Sequence, residues 1–149
     1  MLDGNIFDEI VADKKLKAHI KKLRRKGDIE NLTTYKVIQQ LEQTANKEKR
    51  EALLKCCKDL TVEKPANVFL LGDTPLNKGR LSNGVDFEKA KGNSKDLEDA
   101  IIGVTSVDED CFVTNDNQLR KRVQKQFPKV KCLDFRGFVK EIGYEKRDE

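Results

Sequence analysis

Membrane-spanning segments and secretion signals are missing from the sequence. No apolar run approaches the ~20 residues that a membrane helix needs. The N-terminal residues contain neither an apolar segment of signal-peptide length nor a small-residue cleavage site. We therefore expect a cytoplasmic protein with no membrane among its partners.

Histidine, tryptophan and suitably spaced cysteines are scarce as well. The chain has one His, no Trp and four Cys. Zinc ligands usually occur as pairs separated by a few residues, whereas Cys56 and Cys57 are adjacent. Cys111 and Cys132 lie in apolar, strand-like runs, where a thiol behaves as a small hydrophobic group. We expect four reduced, mostly buried thiols and no metal site built from sulfur.

Charged residues, by contrast, are abundant. They make up 38% of the 149 residues and leave a net charge of +4. A chain of this length fits one domain, which we place at residues 1–144 with a charged tail at residues 145–149. Aromatic residues are only 6% of the chain and are not interleaved with the basic ones. A base-stacking platform for single strands is therefore not indicated.

The positive charge is concentrated in two segments. Residues 14–26 carry eight basic residues and no acidic one, and a second basic group lies between residues 120 and 131. Such patches suit a polyanion, although a solvated helix face explains a single lysine-rich helix equally well. The candidate substrate-binding residues are Lys14, Lys15, Lys21, Lys22, Arg24, Arg25 and Arg120, with Lys78 and Arg80 in a loop-rich stretch at residues 72–84.

Helical and strand-like patterns alternate along the chain. This alternation predicts a parallel sheet with helical crossovers, and ligand sites in such sheets lie at the C-terminal ends of the strands. The apolar spacing predicts helices at residues 5–26 (in two pieces), 33–45 (capped by Thr33 or Thr34), 47–59, 94–107, 117–126 and 135–142, and strands at residues 68–71, 111–114 and 130–133.

Two acidic residues lie where strands are expected to end. Asp116 follows the strand Cys111–Thr114, and Asp3 follows Leu2 if the first two residues belong to a short strand. Each has a local explanation as well. Asp116 suits a turn, and Asp3 could cap a helix by accepting hydrogen bonds from the amides of residues 5 and 6.

A third acidic residue lies in a helical segment. Ile38, Leu41 and Ala45 have the spacing of an inward-facing stripe, and Glu42 falls on or beside it. A buried carboxylate costs several kcal/mol unless a positive charge compensates it. A metal ion, a Lys or Arg partner, or an edge position reaching water would each satisfy Glu42.

The most apolar helix contributes two further acids. Asp96 and Asp99 lie on one side of it, and Asp99 shares its side with the small residues Gly103 and Ser106. Small neighbours leave space beside a carboxylate. For Asp96, capping in the first turn is the better explanation. Capping explains Asp99 less well because it lies deeper in the helix.

The acidic residues together suggest a metal site. Four carboxylates brought close to one another would repel, and divalent cations relieve that repulsion. Mg²⁺ prefers oxygen ligands and commonly joins carboxylates to phosphate oxygens. A pair of such ions can activate water against a phosphodiester. An acidic centre surrounded by basic surface fits this chemistry.

The acidic pattern resembles that of the PIN-domain nucleases. The strongest segment is EDAIIGVTSVDEDCFVTND, residues 98–116, in which an Asp opens an apolar small-residue helix and a strand ends in Thr-x-Asp. The opening LDGNIFDEI resembles the family's Asp-x-Asn followed by an apolar pair. The segment VIQQLEQ supplies a glutamate in mid-chain, and order and distances agree over almost the whole chain.

The resemblance implies a PIN-like three-layer α/β/α sandwich with a central, mainly parallel sheet of four to five strands. It also implies an Mg²⁺- or Mn²⁺-dependent endoribonuclease, with Asn5 and Thr114 orienting the ligands. Single-domain members of this size are often VapC-type toxins, so an antitoxin protein and a homodimer are expected by resemblance alone. The alternatives are a nuclease acting on DNA or in RNA maturation without an antitoxin, and a non-catalytic RNA-binding module. The implied metal ligands are Asp3, Glu42, Asp99 and Asp116, with Asp96 as a weaker candidate.

Overall fold

The computed structural model describes residues 1–66, 77–79, 87 and 97–145. Several sequence predictions fall outside these residues. They are the strand expected at residues 68–71, most of the loop at residues 72–84 including Arg80, and the start of the helix at residues 94–107 including Asp96.

The described residues contain seven α-helices, and most of their bounds agree with the apolar spacing. The helix expected at residues 33–45 is shorter at both ends. A 3₁₀ turn, Ser106–Asp108, extends the fifth helix. The helices are α1 (Gly4–Val11), α2 (Lys14–Lys26), α3 (Tyr35–Glu42), α4 (Lys47–Leu60), α5 (Leu97–Thr105), α6 (Asn117–Gln126) and α7 (Phe135–Glu141).

Side-chain caps begin several of these helices. Asp13 accepts a hydrogen bond from the amide of Leu16 (3.0 Å), and Asn46 caps α4 in the same way through Lys49 (2.9 Å). Thr34 occupies the cap position of α3 but makes no cap hydrogen bond. The hydroxyl of Thr34 is buried and has no hydrogen-bond partner among the described residues.

Four short strands form two parallel pairs. Strand β1 (Leu32–Thr33) pairs with β2 (Val62–Glu63), and β3 (Cys111–Val113) pairs with β4 (Lys131–Leu133). The mixed α/β class and the two later strands are therefore confirmed. Assigning Thr33 to a helix was wrong, and β2 was not anticipated. Within the described ranges the strands form two two-stranded sheets rather than one sheet of four or five strands.

Residues 1–3 hydrogen bond to both pairs. The amide of Leu2 donates to the carbonyl of Leu32 (3.0 Å), and the amide of Asp3 donates to the carbonyl of Val113 (2.9 Å). Leu2 and Val113 form a parallel bridge. The segment carrying Asp3 is thus held between β1 and β3.

The core is built from the apolar faces of these elements. Ile6, Phe7 and Ile10 of α1 are fully buried, as are Ile101 of α5 and Phe112 of β3. Burial of a Leu, Ile or Phe side chain contributes about 1.5–3 kcal/mol each. None of the helices in the described part of the chain has the length and apolar character needed to cross a membrane.

The helix end at Gly27 generates a stability prediction. Gly27 has a φ of 77°, and no described atom lies within 4 Å of the position that an added Cβ would take. The cost of Gly27→Ala is therefore conformational, and we expect a loss of about 1 kcal/mol in the free energy of unfolding. Urea denaturation measures this loss. Gly27→Asn should lose less because Asn tolerates the left-handed region better. An alanine variant as stable as the parent would contradict the assignment.

Cys56 generates a prediction on pH. Its thiol is free and buried in the core, and burial raises its pKa from 9.0 to about 11. Because folding raises this pKa, the neutral thiol stabilises the native state at every pH below the pKa of the unfolded state. This contribution to the free energy of unfolding is lost as the pH rises from about 9 through 11. The free energy of unfolding of Cys56→Ala should therefore decline less steeply across this window than that of the parent. Parallel curves for the two proteins would contradict the raised pKa.

Candidate functional site

The hydroxyl of Thr114 is the centre of a buried hydrogen-bond network. Thr114 follows β3 and is fully buried. Its hydroxyl donates to Oδ2 of Asp3 (2.7 Å) and accepts from the backbone amide of Asp116 (3.1 Å) and from Nδ2 of Asn5 (3.4 Å). A threonine hydroxyl has one donor and two acceptor positions, so all three are used.

Asp3 is both a helix cap and a member of this network. Its side chain is buried, with 5% exposure, and Oδ1 accepts from the amide of Gly4 (2.7 Å). The predicted cap role is confirmed, but the donors are Gly4 and Thr114 rather than the amides of residues 5 and 6. A buried carboxylate needs such donors, because an unpaired buried charge is strongly destabilising.

Two asparagines extend the network to α7. The amide of Asn115 donates to Oδ1 of Asn5 (3.1 Å), and Oδ1 of Asn115 accepts from the amide of Phe135 (2.9 Å). No role was assigned to Asn115 from the sequence. Its side chain in fact ties the end of β3 to the start of α7, while Asn5 ties the same turn to α1.

Asp116 begins α6. Its Oδ1 accepts from the amide of Leu119 (2.9 Å), which is the geometry of a helix cap, and the side chain is half-buried. The local explanation of Asp116 is therefore confirmed. Asp116 is not isolated, however, because Thr114 bonds to its backbone and to the Asp3 carboxylate.

A glutamine of α3 lies beside Gly4 and bonds to a glutamate of α5. A Cβ on Gly4 would lie 3.1 Å from Oε1 of Gln40, so α1 and α3 approach closely at this point. Nε2 of Gln40 donates to Oε2 of Glu98 (3.0 Å), which joins α3 to α5. Sequence reasoning assigned no role to either residue. Gln40 lies three residues after the buried Val37, and that spacing was the available signal.

Glu42 lies elsewhere on α3. It is the last residue of the helix and is exposed, and Ala45 of the expected inward stripe is exposed too. The buried side of α3 is formed by Val37 and Leu41, and at 100° per residue Glu42 is turned well away from Val37. The expected inward stripe was therefore wrong at Ala45, and the exposed Glu42 agrees with one of the alternatives left open for it, a position that reaches water. Its role as a ligand stays a prediction.

Asp99 is the third residue of α5 and is half-buried. Helix α5 packs against α3 and α6, the helix that begins at Asp116. Across residues 1–66, 77–79, 87 and 97–145, no three His, Cys, Asp or Glu side chains are grouped closely enough to hold a metal ion. The network thus joins two of the predicted ligands, Asp3 and Asp116.

The candidate substrate-binding residues differ in their surroundings. Lys14, Lys15, Lys22 and Arg25 are exposed on α2. Two of the others are engaged in contacts. Nζ of Lys78 lies 2.8 Å from Oε2 of Glu63, and Arg120 donates to Oδ1 of Asn117 (2.8 Å). Lys21 and Arg24 lie beside Asp59, as described below.

The network generates a prediction on Thr114. Thr114→Val keeps the shape but leaves the buried Asp3 carboxylate without its hydroxyl donor, so the free energy of unfolding should fall by about 1–3 kcal/mol. Thr114→Ser keeps the hydroxyl and is the matched control. Chemical denaturation compares the two. A serine variant that loses more stability than the valine variant would show that the methyl group, not the hydrogen bond, matters.

Comparisons of the chain with protein-family models, with curated proteins and with solved structures found no match.

Proposed function

We propose that the chain is a PIN-like, metal-dependent nuclease that hydrolyses RNA phosphodiester bonds beside Asp3 and Asp116. The observation that carries this proposal is the buried Asp3 carboxylate held by the Thr114 hydroxyl, which also accepts from the Asp116 amide. A buried carboxylate with this support at a strand end is costly to build for stability alone.

The strand arrangement supports the same location. We propose that residues 1–3 join the two strand pairs into one five-stranded sheet in the order β2, β1, residues 1–3, β3, β4. The hydrogen bonds from Leu2 to Leu32 and from Asp3 to Val113 support this order. The chain order of the strands would then reverse between residues 1–3 and β3. Ligands of open α/β sheets bind at such a reversal, at the carboxyl ends of the strands.

The donor set fits a hard divalent cation. Mg²⁺ keeps several waters and is commonly held by one or two carboxylates together with substrate phosphates. Asp3 and Asp116, which the Thr114 hydroxyl joins, supply carboxylate oxygens of this kind. Asp3 and Asp116 would therefore hold Mg²⁺ or Mn²⁺. Asp99 and Glu42 remain candidate ligands from the resemblance, and Asp96 remains a weaker candidate.

The chain's own residues position the reacting groups. When bound, the cation supplies Lewis acidity, lowers the pKa of a coordinated water and neutralises charge on the phosphodiester. Thr114 fixes the rotation of the Asp3 carboxylate through its hydroxyl. Asn5 and Asn115 hold the turn that carries Asp116 against α1 and α7. The basic residues of α2 attract the RNA backbone toward the molecule.

This proposal predicts the loss of RNA cleavage in three single variants. Asp3→Asn, Asp99→Asn and Asp116→Asn each remove one negative charge with little change in shape, so cleavage of a mixed RNA pool with Mn²⁺ should fall at least ~100-fold. EDTA should abolish cleavage by the parent protein. Gel analysis of the products measures both effects, and the same assay on DNA decides the nucleic-acid preference.

The matched control is Asp110→Asn. Asp110 is exposed and precedes β3, at the opposite end of that strand from Thr114, so its variant should cleave like the parent. RNA binding without metal-dependent cleavage by the parent protein would overturn the nuclease proposal. Full activity in Asp3→Asn or Asp116→Asn would overturn the proposed site.

A further inference from the structure

The second half of α2 and the end of α4 line an open, basic cavity. It has a volume of about 340 Å³, and its described lining residues are Lys21, Arg24, Arg25 and Asp59. Three cations face one carboxylate, so this wall carries a net charge of +2. The cavity is large enough for a phosphate group with its first waters.

Asp59 organises the cations around it. Its carboxylate lies 3.3 Å from Nζ of Lys17 and 3.6 Å from Nζ of Lys21. Desolvation alone would raise the pKa of Asp59, but the hydrogen bond from Lys17 and the charges of Lys17, Lys21 and Lys55 outweigh it, and the pKa is lowered. The carboxylate is therefore ionised at neutral pH and neutralises only part of the positive charge near it.

The guanidinium of Arg24 is fixed in place by the backbone. Its Nη1 donates to the carbonyl oxygen of Asp59 (2.6 Å), which joins α2 to α4 across 35 residues of sequence. One edge of the guanidinium is thus anchored. Arg25 is exposed, and neither a hydrogen bond nor an ion pair of Arg25 is found within the described residues. The anchored guanidinium of Arg24, the exposed guanidinium of Arg25 and the ammonium of Lys21 together form an arrangement suited to binding phosphate oxygens.

Stability does not explain this concentration of charge. Like charges four residues apart on a helix are destabilising, and α2 places Lys17–Lys21, Lys21–Arg25 and Lys22–Lys26 at that spacing. The helix dipole compensates the cations of the last turn alone. The repulsion between Lys17 and Lys21, earlier in the helix, is relieved only in part by the one carboxylate of Asp59.

The cavity is separate from the carboxylate network. Arg24 and Arg25 lie at the end of α2 that leads into β1, and Asp59 lies at the end of α4 that leads into β2. The cavity therefore faces the start of these strands, whereas Asp3 and Thr114 lie where their strands end. In the proposed five-stranded sheet, the cavity and the carboxylate network therefore lie at opposite ends of the strands.

We propose that this α2–α4 cavity is an anchor site for a backbone phosphate of RNA, distant from the place of cleavage. The identification of RNA as the ligand rests on the proposed function, whereas the phosphate chemistry rests on the cavity itself. A phosphate bound between Lys21, Arg24 and Arg25 holds a folded or extended RNA across the molecule. Oligonucleotides too short to reach from the cavity to Asp3 and Asp116 can occupy one of the two sites but not both at once.

Binding in EDTA tests the anchor without requiring cleavage. Fluorescence anisotropy with an RNA hairpin of about 30 nucleotides should show Arg25→Gln and Lys21→Gln binding about four-fold more weakly than the parent at 0.15 M salt, with the salt slope reduced by about 1. The matched control is Lys47→Gln, which removes the same charge from the exposed start of α4, about 18 Å along the helix from Asp59.

A variant that is expected to strengthen RNA binding excludes misfolding as the cause of weaker binding in the other variants. Asp59→Asn removes the negative charge of the wall, so RNA should bind more tightly, and a damaged fold would produce the reverse. Unchanged affinity in Arg25→Gln, Lys21→Gln and Asp59→Asn, or equal weakening in Lys47→Gln, would overturn the anchor.

A titration with inorganic phosphate, followed by the side-chain NMR signals of Arg24 and Arg25, separates the two sources of phosphate. If phosphate shifts these signals and RNA does not, the RNA anchor is wrong. If RNA shifts them in a protein that cleaves nothing, the anchor stands and the nuclease proposal fails alone.

Discussion

The hydrogen bond between the Thr114 hydroxyl and the Asp3 carboxylate joins parts of the chain that are 111 residues apart. Both groups are buried, so neither can exchange its partner for water without opening the structure. The same hydroxyl fixes the backbone of Asp116 and contacts Asn5. The start of α1, the end of β3 and the cap of α6 therefore share one polar centre. Asn115 adds the start of α7 to it. The residues of the candidate site therefore also hold these elements of the fold together.

The basic residues in the last turn of α2 and the carboxylates of Asp3 and Asp116 belong to different helix ends. The basic helix α2 follows the acid-bearing helix α1 directly, and its last turn, which leads into β1, carries Arg24, Arg25 and Lys26. Asp59, at the end of α4, pairs with Lys17 and Lys21 of α2. Asp59 thus gives two of these cations a carboxylate partner apart from the network of Asp3, Thr114 and Asp116. For a polyanion, this arrangement provides attraction at one place and an acidic centre at another.

The sequence predicted the helices well because their apolar residues repeat over seven or more positions. It failed for β1 and β2 because a strand of two residues has no period to detect. The stripe of Ile38, Leu41 and Ala45 missed Gln40 because packing places Val37 inward and leaves Ala45 exposed. The resemblance predicted that Thr114 orients the acidic residues, but its bond to Asp3 in particular was not anticipated. The cavity around Asp59 could not be predicted, since residues 35 to 42 positions apart form it and no local pattern connects them.

The parallel pairing of residues 1–3 with β3 also determines when the site can form. A parallel contact over 111 positions has a long loop to close, and such contacts form late and slowly. During synthesis at 5–20 residues per second, on the order of 6–20 s separate the appearance of Asp3 from that of Thr114. Over that interval the Asp3 carboxylate lacks its later hydrogen-bond donor, the Thr114 hydroxyl, and the start of α1 lacks its contact with the end of β3. The acidic centre is therefore assembled only after most of the chain exists, so a partly made chain cannot have the site.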